Sequence, residues 1–261
     1  MRKSLISIFK RCLTPRQYEL AKKLYTSIFC LFNTNDLMKL AAICRTDKWG
    51  EHWYARHYQE HFRRLRKKRM NVLEIGVGGY EDPDKGGASL LMWKYYFPRS
   101  AIYAIDVYDK SKLQEKRIKI FQGSQNDEKF LKDVFSRIGS LDIIIDDGSH
   151  MNEHVLTSFK TLFPLLKDGG IYAVEDVQTS YWPQYGGSSE DLNNPATAMG
   201  FFKKIADGLN YMELAEPGYE PAYFDRNITS IHFYHNLVII YKGVNDERSI
   251  GRPRASGDPI K

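Results

Sequence analysis

Two short acidic clusters, each at the end of an apolar run, hold the residues best suited to chemistry in this chain. The first is DIIIDDGSHMNEH, Asp142 to His154, where three isoleucines lead into Asp146 and Asp147, and His150 and His154 follow. The second is AVEDVQTSYW, which delivers Glu175 and Asp176 after another apolar stretch. Carboxylates gathered in one place repel unless they are protonated, solvated or neutralised by a cation. Hard oxygen donors of this kind suit Mg2+ or Mn2+, with waters or substrate oxygens completing an octahedron. A neutral imidazole titrates close to working pH, which fits His150 for the role of general base; metal ligation and packing at a helix start are its other open roles. His154, one helical turn on, is expected to pack or to orient a neighbour. The competing reading of both clusters is two independent strand-end turns, each with Asp as a cap.

These clusters can act together only if the fold brings them to one edge. From Asn71 onward strand and helix signals alternate: NVLEIGVGG, SLLMWKYYF, AIYAIDVYD, IKIFQG, DEKFLKDVFSRI, LDIIIDD, VLTSFKTLFPLL and GGIYAVED. Alternation with near-continuously apolar strands predicts a mostly parallel, doubly wound α/β sheet with helices on both faces. In such a sheet ligands bind at the carboxyl ends of the strands, where the strand order reverses, and that is where both acidic clusters fall. Residues 1–45 read as two or three short helices, SLISIFKRCL, PRQYELAKKLYTSIFCLF and NDLMKLAAICR, forming an appendage to a main domain over 46–244. Between appendage and first strand, the aromatics and histidines of TDKWGEHWYARHYQEHFRRLR recur at helical spacing and read as packing residues. Residues 245–261 have a loop composition and are expected to be disordered.

The first strand ends in LEIGVGG, which places Glu74, Gly76 and Gly78 where a backbone can approach a ligand closely. Asp106 ends the second strand, a position from which a carboxylate can accept from ribose hydroxyls. A dinucleotide would need a third glycine at position 81, which is Glu81, and the following YEDPDKGG is a poor cradle for phosphates. S-adenosylmethionine, cationic and without phosphate, tolerates these carboxylates. An alcohol is a feeble nucleophile until its proton is loosened. A dication with a base beside it does that, and a sulfonium methyl held in line completes a methyl transfer.

Charge is unevenly spread. Residues 1–69 hold 17 Lys or Arg against 5 Asp or Glu, whereas the remainder holds 21 against 27. The basic segment ends in RRLRKKR, Arg63 to Arg69, which reads either as a solvated helix face or as a contact for an anionic membrane surface, polyphosphate or nucleic acid. No nucleic-acid-binding motif accompanies it, so a nucleic-acid partner is not expected and peripheral membrane contact is retained. Cys12, Cys30 and Cys44 show neither metal-ligand spacing nor a disulfide framework, which suggests a reducing, cytoplasmic setting. The longest uncharged run near the N-terminus, Leu24 to Asn35, is 12 residues and too short to span a bilayer.

Taken together, LEIGVGGYEDPDKGGASLLMWKYYFP, YAIDVYDKS, FQGSQND, DIIIDDGSHMNEH and GGIYAVEDVQTSYWPQYGG resemble the metal-dependent sugar O-methyltransferases that modify deoxysugar hydroxyls on macrolide and polyketide antibiotics. The resemblance runs from about Thr46 to Gly187 and includes the lead-in TDKWGEHWY. It implies a class I, Rossmann-like seven-stranded sheet preceded by N-terminal helices, S-adenosylmethionine and Mg2+ (or Mn2+) as cofactors, and a glycan or small-molecule acceptor bearing a sugar hydroxyl. It further implies that Asp147, Glu175 and Asp176 bind the metal and that His150 is the base. Glu74, Gly76 and Gly78 would lie against the cofactor, with Ser89 near its methionine end, Asp106 on the ribose, and Gly123, Ser124 and Gln125 bordering the adenine. Thr46 would close over the cofactor, and Asp146 is counted with the cofactor-binding residues. Tyr181 and Trp182 would help to shape the sugar pocket, and a homo-oligomer is the family's habit. Metal-dependent catechol methyltransferases are the near rival; they typically carry Lys in place of His150 and an Asp-Asn pair in place of Glu175-Asp176. A catalytically silent cofactor-binding protein is the third reading.

Overall fold

The structure, a computed structural model, describes residues 14–214 and 217–249. The expected first helix, SLISIFKRCL, and most of the expected tail lie outside these residues. The two other expected N-terminal helices form. Helix α1 (Pro15–Phe32) starts after Thr14, whose side chain accepts the Gln17 N–H, with Pro15 in the first turn. Helix α2 (Leu37–Cys44) starts after Asp36, whose carboxylate accepts the Lys39 N–H at 2.9 Å. The aromatic segment follows its spacing over Tyr54–Phe62, which is helical (α3) and buries Tyr54, Tyr58 and Phe62, while 46–53 is turn and irregular chain. Lys48 leaves that turn for the protein interior, where it is fully buried.

The sheet then builds from β1 (Asn71–Ile75), β2 (Ala101–Asp106), β3 (Ile118–Gln122), β4 (Leu141–Asp146) and β5 (Leu166–Glu175), with α4 (Ala88–Tyr96), α5 (Glu128–Ile138) and α6 (Asn152–Leu162) as crossovers. Helices α7 (Ala198–Asp207) and α8 (Tyr223–Asn227) lead into β6 (Ile228–Tyr234) and β7 (Leu237–Lys242), which close the edge. The order is β3-β2-β1-β4-β5-β7-β6, parallel through β5 and antiparallel at β7 and β6. This is the doubly wound, seven-stranded, mostly parallel sheet expected, and its order reverses between β1 and β4.

Each face has its own core. On one, Val72, Ile143, Ile145, Ile171 and Ala173 pack under α2, α3 and α4 through Leu40, Tyr58 and Trp93. On the other, Leu73, Ile144, Tyr172 and Val174 pack under α5, α6 and α7 through Leu131, Phe159 and Phe202. The expected tail is anchored at its start, for Asn245 donates to the Arg226 carbonyl at 2.9 Å and to the Asp225 carbonyl at 2.8 Å.

Candidate active site

Strand register decides which carboxylates meet. Glu74 pairs with Ile145, Ile145 pairs with Ala173, and side chains alternate faces with a period of two. Glu74, Asp147 and Glu175 therefore point to the α2–α4 face, and Asp146 points to the other. The tips of β1 and β4 touch closely. A Cβ on Gly76 would sit 2.0 Å from the Asp147 carbonyl oxygen, and its φ of +96° is itself one that favours glycine. The glycine expected to admit a ligand thus also admits the neighbouring strand.

Lys48 enters this acidic face. Its Nζ lies 2.6 Å from Asp147 Oδ2, 2.7 and 2.8 Å from the two Glu175 oxygens, and 3.4 Å from Glu74 Oε1. Burial opposes its charge, but Asp147, Glu175 and Glu74 outweigh that cost and hold its pKa well above the ordinary lysine value. Burial raises Glu175 strongly, Asp147 adds to that, and Lys48 pulls it back; burial likewise lifts Glu74 to about 7. Three carboxylates facing one ammonium leave an acidic excess, so the pressure to take up a proton falls on the carboxylates and the ammonium stays charged. Tyr58 donates to Glu175 at 2.7 Å, and Ser89 and Trp93 donate to Glu74 at 2.9 and 3.1 Å. Neither Lys48 nor Tyr58 figured among the residues expected from sequence. Glu74 Oε1 is buried without a hydrogen-bond partner among the described residues.

Asp176 and His150 form the outer part of the site. Both have left-handed backbones, with φ of 52° and 57°, a conformation uncommon outside glycine that often marks functional positions. Tyr54 donates to Asp176 Oδ1 at 2.6 Å, and His150 Nε2 lies 3.5 Å from its Oδ2. Burial works to raise Asp176, yet the Tyr54 hydroxyl, His150 and Gln178 bring it below the usual carboxylate value. One donor atom each from Asp147, His150 and Asp176 all lie within 4.8 Å of one another. That cluster, together with the acidic excess behind it, fits a divalent cation. Glu175, expected in the same ligand set, spends its oxygens on Lys48 and Tyr58. His154 orients the loop, its Nδ1 lying 2.8 Å from the Ser149 hydroxyl.

Asp106, Gly123, Ser124 and Gln125, expected around a nucleoside, lie at the carboxyl ends of β2 and β3. Asp106 accepts the backbone N–H groups of Val77 and Tyr108, each at 2.9 Å, and its own carbonyl accepts from Gly123. Gly123 leaves no room for a Cβ, which would meet the Phe130 ring at 2.4 Å. Ser124 accepts the Asn126 N–H at 3.1 Å, and Thr46 is buried two residues before Lys48. Gln125 accepts the Ser149 N–H at 2.7 Å and donates to Asp146 at 3.1 Å. Asp146 itself faces α6, accepting from Ser158 and Tyr172. Burial lifts it to about 6 against those hydroxyls and Gln125. Lys110, buried, secures the loop after Gly79 by donating to the Asp82 and Lys85 carbonyls at 2.7 and 3.1 Å. Trp182 is partly exposed beyond the Asp176 turn.

No family model matches the chain. Individual proteins do. It is 47% identical over 223 residues to the demethylmacrocin O-methyltransferase of Streptomyces fradiae, covering 85% of this chain and 56% of that protein. It is 48% identical over 217 residues to the mycinamicin VI 2''-O-methyltransferase of Micromonospora griseorubida, covering 82% and 54%. The chain thus spans about half the length of the curated relatives it matches. Among solved structures, the MycE methyltransferase of the mycinamycin biosynthetic pathway, in complex with Mg, SAH and mycinamycin VI, superposes with a TM-score of 0.80 at 46% identity. That match covers 85% of this chain and 57% of MycE. Over the part they share, with the sheet and acidic edge described above, the chain is similar to the sugar O-methyltransferases of macrolide and polyketide pathways.

Proposed function

We propose that this chain transfers a methyl group from S-adenosylmethionine to a sugar hydroxyl of a glycosylated natural product or polysaccharide, in a reaction dependent on Mg2+ (or Mn2+). The observation that carries the reading is the convergence of Asp147, His150 and Asp176 donor atoms within 4.8 Å, at the crevice where the strand order reverses. Bound there, the cofactor would supply a sulfonium methyl and the metal would supply Lewis acidity to the accepting hydroxyl. Asp147 and Asp176 are the metal-binding carboxylates in this reading; Glu175, the third expected ligand, would join them by giving up its Lys48 contact, and Tyr54 and Tyr58 fix the orientation of the Asp176 and Glu175 groups. Glu74, Gly76, Gly78, Ser89 and Asp106 border the cofactor. Thr46, Gly123, Ser124 and Gln125 complete that wall, with Asp146 supporting Gln125 from behind. His150 Nε2 takes the hydroxyl proton, and its left-handed backbone directs the ring toward Asp176.

Incubation of the purified chain with labelled S-adenosylmethionine and a panel of glycosides and catechols tests the reading. Methylated glycoside, lost on chelation and regained with Mg2+, is the expected result. Methylation of catechols alone would replace it with the phenol reading, and full turnover in chelator would remove the metal. His150→Ala is expected to lower turnover on the order of 10²–10⁴-fold with cofactor affinity retained, measured by initial rates and calorimetry.

A further inference from the structure

Helix α1 and the RRLRKKR run take no part in the site above. One side of α1 is apolar and open to solvent: Leu20, Leu24, Leu31 and Phe32 are between 62% and 83% exposed. At 100° per residue Leu20, Leu24, Ile28 and Leu31 fall within one narrow arc, and Phe32, Tyr25 and Phe29 widen it to about half the helix circumference. The helix faces the body through Cys30, whose buried thiol lies 3.6 Å from that of Cys44 in α2. Basic residues adjoin the apolar arc. Arg16, Lys22 and Lys23 lie on the helix, all three exposed. The Arg66 guanidinium, 3.3 Å from the carbonyl and hydroxyl oxygens of Thr34, ties the run Arg63–Arg69 to the helix end. Arg64, Lys67 and Lys68 of that run are also exposed.

We propose that α1 and the adjoining basic run dock this protein onto the surface of an anionic phospholipid bilayer. The leucines and phenylalanines enter the boundary between headgroups and acyl chains, and the arginines and lysines meet lipid phosphates. Charge selects this occupant. Arg16, Lys22, Lys23, Arg64, Lys67 and Lys68 are all exposed on or beside the helix, so pairing two copies through this face would bring like charges together. A nucleic acid would satisfy the charge and leave the apolar arc in water. The contact is peripheral, since no helix among the described residues is long and apolar enough to cross a membrane.

Co-sedimentation of the full chain with vesicles of phosphatidylcholine alone, and of phosphatidylcholine mixed with phosphatidylglycerol, tests this. The protein should partition to the mixed vesicles, far less to neutral ones, and less as salt rises. The pair Leu24→Glu and Ile28→Glu should lower partitioning on the order of tenfold or more, and so should the pair Lys67→Glu and Lys68→Glu. Cofactor affinity should be unchanged in both, which verifies that they fold. No preference of the wild-type protein for anionic vesicles overturns the proposal whether or not the variants fold. So does a dimer, seen by sedimentation velocity, that Leu24→Glu dissociates while vesicle partitioning is absent.

Discussion

Asp146 and Asp147 are chain neighbours with opposite surroundings, and the contrast separates the two faces of the sheet at its carboxyl edge. Asp147 faces a buried ammonium, two further carboxylates and the imidazole of His150's loop, a charged setting in which acid outnumbers base. Asp146 faces Ser158, Tyr172 and Gln125, which are neutral donors, and no cation lies within ion-pair distance among the described residues. One face is therefore built to exchange charged partners and the other to hold a carboxyl group in place. A pair of adjacent acids in a sequence need not be a pair in function, because one residue of strand rotation moves a side chain across the sheet.

The contrast can be broken most forcefully at Asp147. Asp147→Ala is expected to lower turnover on the order of 10³-fold or more and to abolish the response to added Mg2+, read from initial rates across a metal titration. If Asp146→Ala erased the metal response equally, the division between faces would fail. Lys48→Met comes next. It leaves Glu74, Asp147 and Glu175 facing one another without their buried cation, and removal of one member of a buried ionic cluster costs about 3–5 kcal/mol. Urea unfolding in the presence of chelator would measure that loss, and an unchanged midpoint would show that Lys48 contributes nothing to holding the acidic face.

The smallest expected effect sharpens the neutral side. Burial lifts Asp146 to about 6, so in its window the folded protein binds a proton that the unfolded chain has already released. Stability from this group is full below the ordinary aspartate value, declines as pH rises toward 6, and is constant above it. The slope amounts to a few kcal/mol in all, on the order of 1.4 per pH unit. Asp146→Asn in metal-free buffer should flatten the fall of the unfolding midpoint between pH 4 and pH 6, roughly the window set by those two values. An identical slope in both proteins would place the titration elsewhere.

The acidic edge was legible in sequence because an apolar run ending in carboxylates has little meaning except as a strand tip, and the alternation of elements brings such tips together. The parallel arrangement of β1 to β5 followed from the same pattern, whereas the count of seven strands came from the family resemblance. The facing of Asp146 was partly within reach, since counting by twos separates it from Asp147, which shares a face with Ile143 and Ile145; that Glu74 lies on that face came only from the strand register. Lys48, Tyr54 and Tyr58 were not legible. Lys48 meets Asp147 and Glu175 across 99 and 127 residues of chain, and nothing local marks a lysine as interior. The tyrosines recur at helical spacing as packing residues do; only their hydroxyls, donating to Asp176 and Glu175, separate them from the aromatics around them.

The left-handed backbones of His150 and Asp176 restrict how this protein can drift. Both side chains leave a backbone torsion that admits asparagine, aspartate, histidine and glycine far more readily than branched residues. Glycine would preserve the loop and silence it; valine or isoleucine would distort the loop along with the chemistry. Sequence variation at these two positions is thereby confined to a few residue types, even in descendants that abandon the original acceptor.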